Sequence, residues 1–118
     1  MILAHVTIHT AKLEESVEFY RKAAGLEILR DMRDREVNRI AFMGDRDCSV
    51  LVELIESGGS FDGSGVSIGF SVSGIKALYE KMEKEGYAPY GMKATGPSSS
   101  FFMIKDPNGF PVQFIGEN

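Results

Sequence analysis

Leu13-Glu14-Glu15-Ser16-Val17-Glu18-Phe19-Tyr20-Arg21-Lys22-Ala23-Ala24 and Ile75-Lys76-Ala77-Leu78-Tyr79-Glu80-Lys81-Met82-Glu83-Lys84-Glu85 are the stretches whose reading decides the fold. Leu13, Val17, Tyr20 and Ala24 recur at helical spacing, and so do Ile75, Leu78, Tyr79 and Met82. Glu14 and Glu15 suit the first turn of a helix, where the backbone dipole favours negative charge. Gly25 and Gly86 stand where a left-handed C-cap is expected, and Ser73 is placed to cap the start of the second helix. Lys76, Glu80 and Lys84 make an outer ladder of alternating sign, a solvated face.

An offset of 62 residues carries Leu13 onto Ile75, Val17 onto Tyr79 and Tyr20 onto Met82. Each helix follows a strand-like segment, Leu3–Thr10 in one case and Gly65–Val72 in the other, and the same offset carries His5 onto Ser67. Three more strand-like runs follow each helix. They are Leu26–Met32, Val37–Met43 and Ser49–Ile55 in the first half, and Pro89–Met92, Phe101–Lys105 and Phe110–Ile115 in the second. The run 49–55 is nearly all apolar and needs cover on both faces. Glu56–Ser64, rich in glycine and serine, reads as a linker, Gly96–Ser100 as a mobile loop, and Asp106-Pro107-Asn108-Gly109 as a turn. The order is βαβββ twice, an α+β chain with repeat one over about 1–56 and repeat two over about 65–118. One helix and one sheet make a thin core, so the halves are expected to share theirs within a single domain over 1–118. A ferredoxin-like βαββαβ sandwich is the rival. The offset and the strand count disfavour it.

The chain has 118 residues, one domain by length, with an ordinary globular balance of 43% hydrophobic and 25% charged residues. A net charge of −4 and the absence of a basic block exclude the electrostatic footprint of a nucleic-acid binder or of a protein drawn to anionic lipid. Met1–Ala4 is apolar but brief and is read as neither signal peptide nor membrane span. Cys48 is the sole cysteine, which rules out a disulfide within the chain and fits a reducing, cytoplasmic location. Cys48 itself reads as a small residue ahead of a strand rather than a reactive thiol.

Polar residues inside apolar strands carry the functional information. Glu53 interrupts Val50-Leu51-Val52-Glu53-Leu54-Ile55, where a buried carboxylate needs a cation, a hydrogen-bond donor or a proton. Gln113 interrupts Val112-Gln113-Phe114-Ile115, the corresponding strand of the second half. His5 interrupts Ile2-Leu3-Ala4-His5-Val6, and Ser67 interrupts Gly65-Val66-Ser67-Ile68. The repeat pairs His5 with Ser67 and Glu53 with Gln113, so the first and last strand of each repeat offer one polar side chain. Each also has an ordinary structural reading. Glu53 has Arg39 as a candidate partner, Gln113 the neighbouring backbone, and a strand histidine is usually a satisfied one. His9, on the face of His5 by period two, and Thr7 on the same strand are candidate substrate contacts.

The opening His5-Val6-Thr7-Ile8-His9-Thr10 with Ser16-Val17-Glu18-Phe19-Tyr20 and Ala24-Gly25-Leu26, and the ending Phe102–Ile115 with its Asp-Pro-Asn-Gly turn, resemble the vicinal-oxygen-chelate superfamily. That group includes glyoxalases, bleomycin-resistance proteins and extradiol dioxygenases. The resemblance implies βαβββ modules curving around a small-molecule cavity, and a homodimer. It also implies one divalent ion (Ni, Zn, Mn or Fe) held by residues at the positions of His5, Glu53, Ser67 and Gln113. His5 and Glu53 suit that role. A serine hydroxyl is a poor ligand and a glutamine amide a neutral one, so an ion is expected to be weakly held or absent. Gln113 cannot serve as the family base, which leaves Glu53 as the candidate catalytic base.

Two functions follow from the resemblance. One is a glyoxalase-like, metal-assisted lyase or isomerase acting on a small carbonyl compound of the thiol hemiacetal type. The other is a metal-free protein of the bleomycin-resistance type that sequesters a small molecule. Ring cleavage and thiol transfer to fosfomycin need a fuller ligand triad and are disfavoured, and a purely structural role is the fourth reading.

Overall fold

The protein is described by a computed structural model that covers residues 1–47, 49–59 and 61–118. Cys48 lies outside the described residues. The chain divides into two compact units, 1–62 and 63–118, and each is described by itself.

The first unit runs β1 (His5–Thr10), α1 (Leu13–Lys22), β2 (Glu27–Met32), β3 (Ile40–Gly44) and β4 (Leu51–Glu56). Its sheet order is β1-β4-β3-β2. The first strand pairs in parallel with the last, Thr7 opposite Glu53, and the remaining pairs are antiparallel. Parallel neighbours need a long crossover, here supplied by α1 and the β2–β3 hairpin. Leu13, Val17 and Tyr20 of α1 are buried with Ile8, Ala41, Met43, Val52 and Leu54, the inward residues of three strands. Gly25, at φ +70°, takes the left-handed position expected of it.

The second unit repeats the plan with β5 (Ile68–Ser73), α2 (Ile75–Lys84), β6 (Tyr90–Ala94), β7 (Ser99–Lys105) and β8 (Pro111–Glu117), in sheet order β5-β8-β7-β6. Strand β5 is parallel to β8, with Gly69 opposite Gln113. Ile75 and Met82 are buried with Phe102, Ile104, Val112 and Phe114. The Tyr79 ring meets Phe102 edge-on at 5.3 Å, and Phe70 stacks on Phe114 at 5.7 Å.

Three expectations change. Ser73 is the last residue of β5 and not a cap; the N-cap position of α2 is Gly74, left-handed at φ +70°. Ser67 precedes the strand, which opens at Ile68. The segment 96–100, expected as a mobile loop, belongs to a hairpin. Strand β7 has already begun at Ser99, and Thr95 N–H donates to the Ser99 carbonyl at 2.9 Å while the two hydroxyls meet at 2.8 Å. Serines let that turn close on itself by side-chain bonding, a possibility that composition does not distinguish from disorder.

The Asp-Pro-Asn-Gly turn between β7 and β8 is built on one buried carboxylate. Asp106 Oδ1 accepts from the backbone N–H of Asn108 and of Phe110, both at 2.8 Å, and Oδ2 accepts from the Asn108 side-chain amide at 3.2 Å. Asp106→Ala leaves two buried N–H donors without this acceptor. We expect a loss of about 2–4 kcal/mol of stability, read as a lower urea midpoint at unchanged slope. An unchanged midpoint would show that water takes over the turn.

Candidate functional site

In the first sheet the face opposite α1 gathers the polar residues. Alternation along β1 turns Ile8 and Thr10 toward the buried side and leaves His5, Thr7 and His9 exposed on the other. Register then sets Thr7 beside Glu53 of β4, Glu53 beside Phe42 of β3, and Phe42 beside Arg30 of β2. These four residues form one row across all four strands.

Glu53 is the chemical centre of the row. Its side chain is only 12% exposed, whereas that of His5 beside it is 43% exposed. Thr7 Oγ1 donates to Glu53 Oε1 at 2.6 Å, and His5 Nε2 stands 3.5 Å from the same oxygen. Among the described residues no hydrogen bond reaches Glu53 Oε2. Arg39, the cation proposed for Glu53 from sequence, is engaged elsewhere: its guanidinium binds Glu14 and Glu56 and donates to the Arg33 carbonyl at 2.7 Å. Asp31 is likewise taken, with the Arg33 guanidinium beside it holding its carboxyl down to about 2. Those carboxylates are paired with arginines outside the row.

Phe42 and Arg30 belong to the site and were not recognised from sequence. The Phe42 ring lies edge-on to His5 at 6.0 Å, and the Arg30 guanidinium lies over the same ring at 6.0 Å. Phe42 therefore joins an imidazole to a guanidinium. His9 is one step along the same face, opposite Ile55.

Ser67 and Gln113 lie in the second unit. Ser67 is exposed ahead of β5, and Gln113 is half-buried in β8 opposite Gly69 and Met103. Gly69 leaves room for the Gln113 amide, since a Cβ at position 69 would stand 3.3 Å from its Oε1.

Donor chemistry and spacing test whether an ion fits. Two donors about 2.1 Å from one ion stand roughly 3.0–3.4 Å apart at neighbouring corners of a coordination shell. The 3.5 Å between His5 Nε2 and Glu53 Oε1 is close to that spacing. Imidazole and carboxylate are suitable ligands for a first-row divalent ion, so the pair fits two corners. Among the described residues no group of three or more His, Cys, Asp or Glu gathers.

The family model described as the Glyoxalase/Bleomycin resistance protein/Dioxygenase superfamily matches residues 2–114. The chain belongs to this superfamily. Among similar proteins, the lactoylglutathione lyase of Haemophilus influenzae is 24% identical over 98% of this chain and 92% of its own length. Solved folds of the same kind include the fosfomycin resistance protein FosX of Listeria monocytogenes, in a variant complexed with Mn(II) and dihydroxypropylphosphonic acid. It has a TM-score of 0.82 at 13% identity and covers 100% of this chain and 95% of its own. The antibiotic-binding protein TnmS3 of a Streptomyces species has a TM-score of 0.77 at 16% identity and covers 100% and 96%.

A carboxylate set in an apolar strand for chemistry weakens the fold that carries it. Replacing Glu53 with leucine is therefore expected to leave thermal stability unchanged, or to raise it by up to about 2 kcal/mol. A loss of more than about 1 kcal/mol would instead assign Glu53 to the support of the sheet.

Proposed function

We propose that the open face of the first sheet is the substrate site of a glyoxalase-like lyase or isomerase, with Glu53 as its base. The observation that carries this reading is the setting of the carboxylate. It is nearly buried, it has no Lys or Arg partner among the described residues, and both of its contacts fall on Oε1. Thr7 and His5 fix that oxygen, and Oε2 is left to accept a proton. A group placed in this way takes a proton from the carbon next to a substrate carbonyl and returns it to the neighbouring carbon. The substrate class is a small carbonyl compound of the thiol hemiacetal type, in keeping with the name of the Haemophilus relative.

His5 and Glu53 are the residues that would hold one divalent ion, nickel, zinc, manganese or iron. When bound, that ion supplies Lewis-acid polarisation of the substrate oxygens. Ser67 and Gln113 add at most a hydroxyl and a neutral amide, so the ion is weakly held. Thr7 and His9 line the approach to Glu53 and contact the substrate. A homodimer and a cytoplasmic location complete the proposal; no helix among the described residues is long and apolar enough to cross a membrane.

The donor count favours a second reading, a metal-free protein that sequesters a small molecule. With only His5 and Glu53 as charged or imidazole donors, a bound ion would keep much of its shell as water.

Turnover of a glutathione thiol hemiacetal of a small 2-oxoaldehyde, with and without added nickel or manganese, separates the two. The enzyme reading expects metal-stimulated turnover that Glu53→Gln lowers by about 10²–10⁴-fold. It expects His5→Ala to abolish metal binding in titration calorimetry, and Ser67→His with Gln113→Glu to strengthen it. Tight binding of a drug-sized ligand with no turnover under any metal would establish the sequestering reading. Equal metal affinity in all variants would move the ion away from His5.

A further inference from the structure

The row across the first sheet ends in a cation that the proposed base chemistry does not use. Arg33 and Arg39 are both tied into carboxylates. Arg30 makes no ion pair among the described residues, and its described contact is the face of Phe42.

A break in strand register turns Arg30 to this face. Ile28 pairs with Met43, a buried residue of the α1 side, and the next pair is Arg30 with Phe42. Leu29 is the extra residue of a β-bulge. In a regular strand Leu29 would stand opposite Phe42, and Arg30 would turn toward α1. The bulge replaces a leucine with an arginine at the end of the row. Bulges that re-aim a side chain are features of functional edges.

We propose that Arg30 and Phe42 form an anion subsite, so that the substrate carries a carboxylate-like group at one end and its reacting oxygen at the other. Arg30 is two strands from Glu53, about 10 Å between backbones. The ring of Phe42 lies between them as an apolar platform for a flat connecting part. The planar guanidinium matches a carboxylate by two parallel hydrogen bonds, and the Phe42 ring, 6.0 Å from its central carbon, keeps it over this face of the sheet. Arg30 is then a specificity residue of the site proposed above and rests on that reading.

Two probes of equal shape test it, 4-acetylbenzoate and the neutral 4-acetylbenzamide, titrated calorimetrically into the full chain. The natural protein is expected to prefer the carboxylate by about tenfold or more. Arg30→Gln should remove that preference and leave amide affinity unchanged, while Arg30→Lys, with a charge but no planar fork, should keep only part of it. Backbone amide resonances of β2 and β3 should shift on addition of the carboxylate. No preference in the natural protein, a preference that survives Arg30→Gln, or no binding of either probe at about 10 mM overturns the subsite. The Glu53→Gln variant separates this inference from the reading beneath it. If binding depends on Glu53 but not on Arg30, the subsite alone fails. If binding depends on neither, the site lies elsewhere.

Discussion

The parallel pairing of the first strand of each module with its last is the constraint on which the candidate site depends. Residues far apart in sequence, Thr7 and Glu53, become direct neighbours through it. An antiparallel meander of the same four strands would place β4 at an edge, away from β1. The helix fixes the alternative that is realised, because it crosses over one face and claims the inward residues of β1, β3 and β4 for its own apolar stripe. Polar side chains of opposite parity are then confined to the other face. The site is a consequence of where the helix packs.

Both modules repeat this logic, and comparing their equivalent rows shows what is particular to the first. Thr7, Glu53, Phe42 and Arg30 stand in register in one sheet; Gly69, Gln113, Met103 and Tyr90 stand in register in the other. The outer strand is bulged in both cases. The first row carries a carboxylate and a guanidinium at separate points, with an aromatic ring between them. The second is neutral throughout. A carboxylate and a fixed positive charge are thus available in the row of the first module and absent from that of the second.

The repeat was legible because it rests on helical periodicity and on the glycines that end the helices, both local properties of the chain. Glu53 and His5 were legible for a related reason: a polar residue in an apolar strand has to be explained by something outside that strand. Phe42 was not recognised, since an aromatic residue in an alternating strand reads as core until the packed face is known. Arg30 was hidden more deeply. Its facing depends on a bulge, and Glu27-Ile28-Leu29-Arg30 gives no local sign that one residue will be skipped. The constant offset of the first strands carries His5 onto Ser67 and Thr7 onto Gly69; the second of these strands opens at Ile68, so Ser67 stands just ahead of it while Gly69 takes the place of Thr7 in the row.

That equivalence also shows how each module surrounds the polar side chain of its last strand. In the first, Thr7 stands opposite Glu53 and donates a hydroxyl to one carboxylate oxygen, which orients the group and leaves the other oxygen unbound by the protein. In the second, a side chain opposite Gln113 would crowd its amide oxygen, and glycine removes the crowding without offering a donor. The two arrangements differ in kind. A carboxylate beside a glycine would lose the hydroxyl that steadies its charge, and a Cβ beside the amide would make its oxygen give by a few tenths of an ångström. Identity at the last strand and identity at the first are thus coupled within each module. The coupling runs through a single cross-strand contact, which makes the Thr7–Glu53 pair, rather than Glu53 alone, the unit that defines the candidate site.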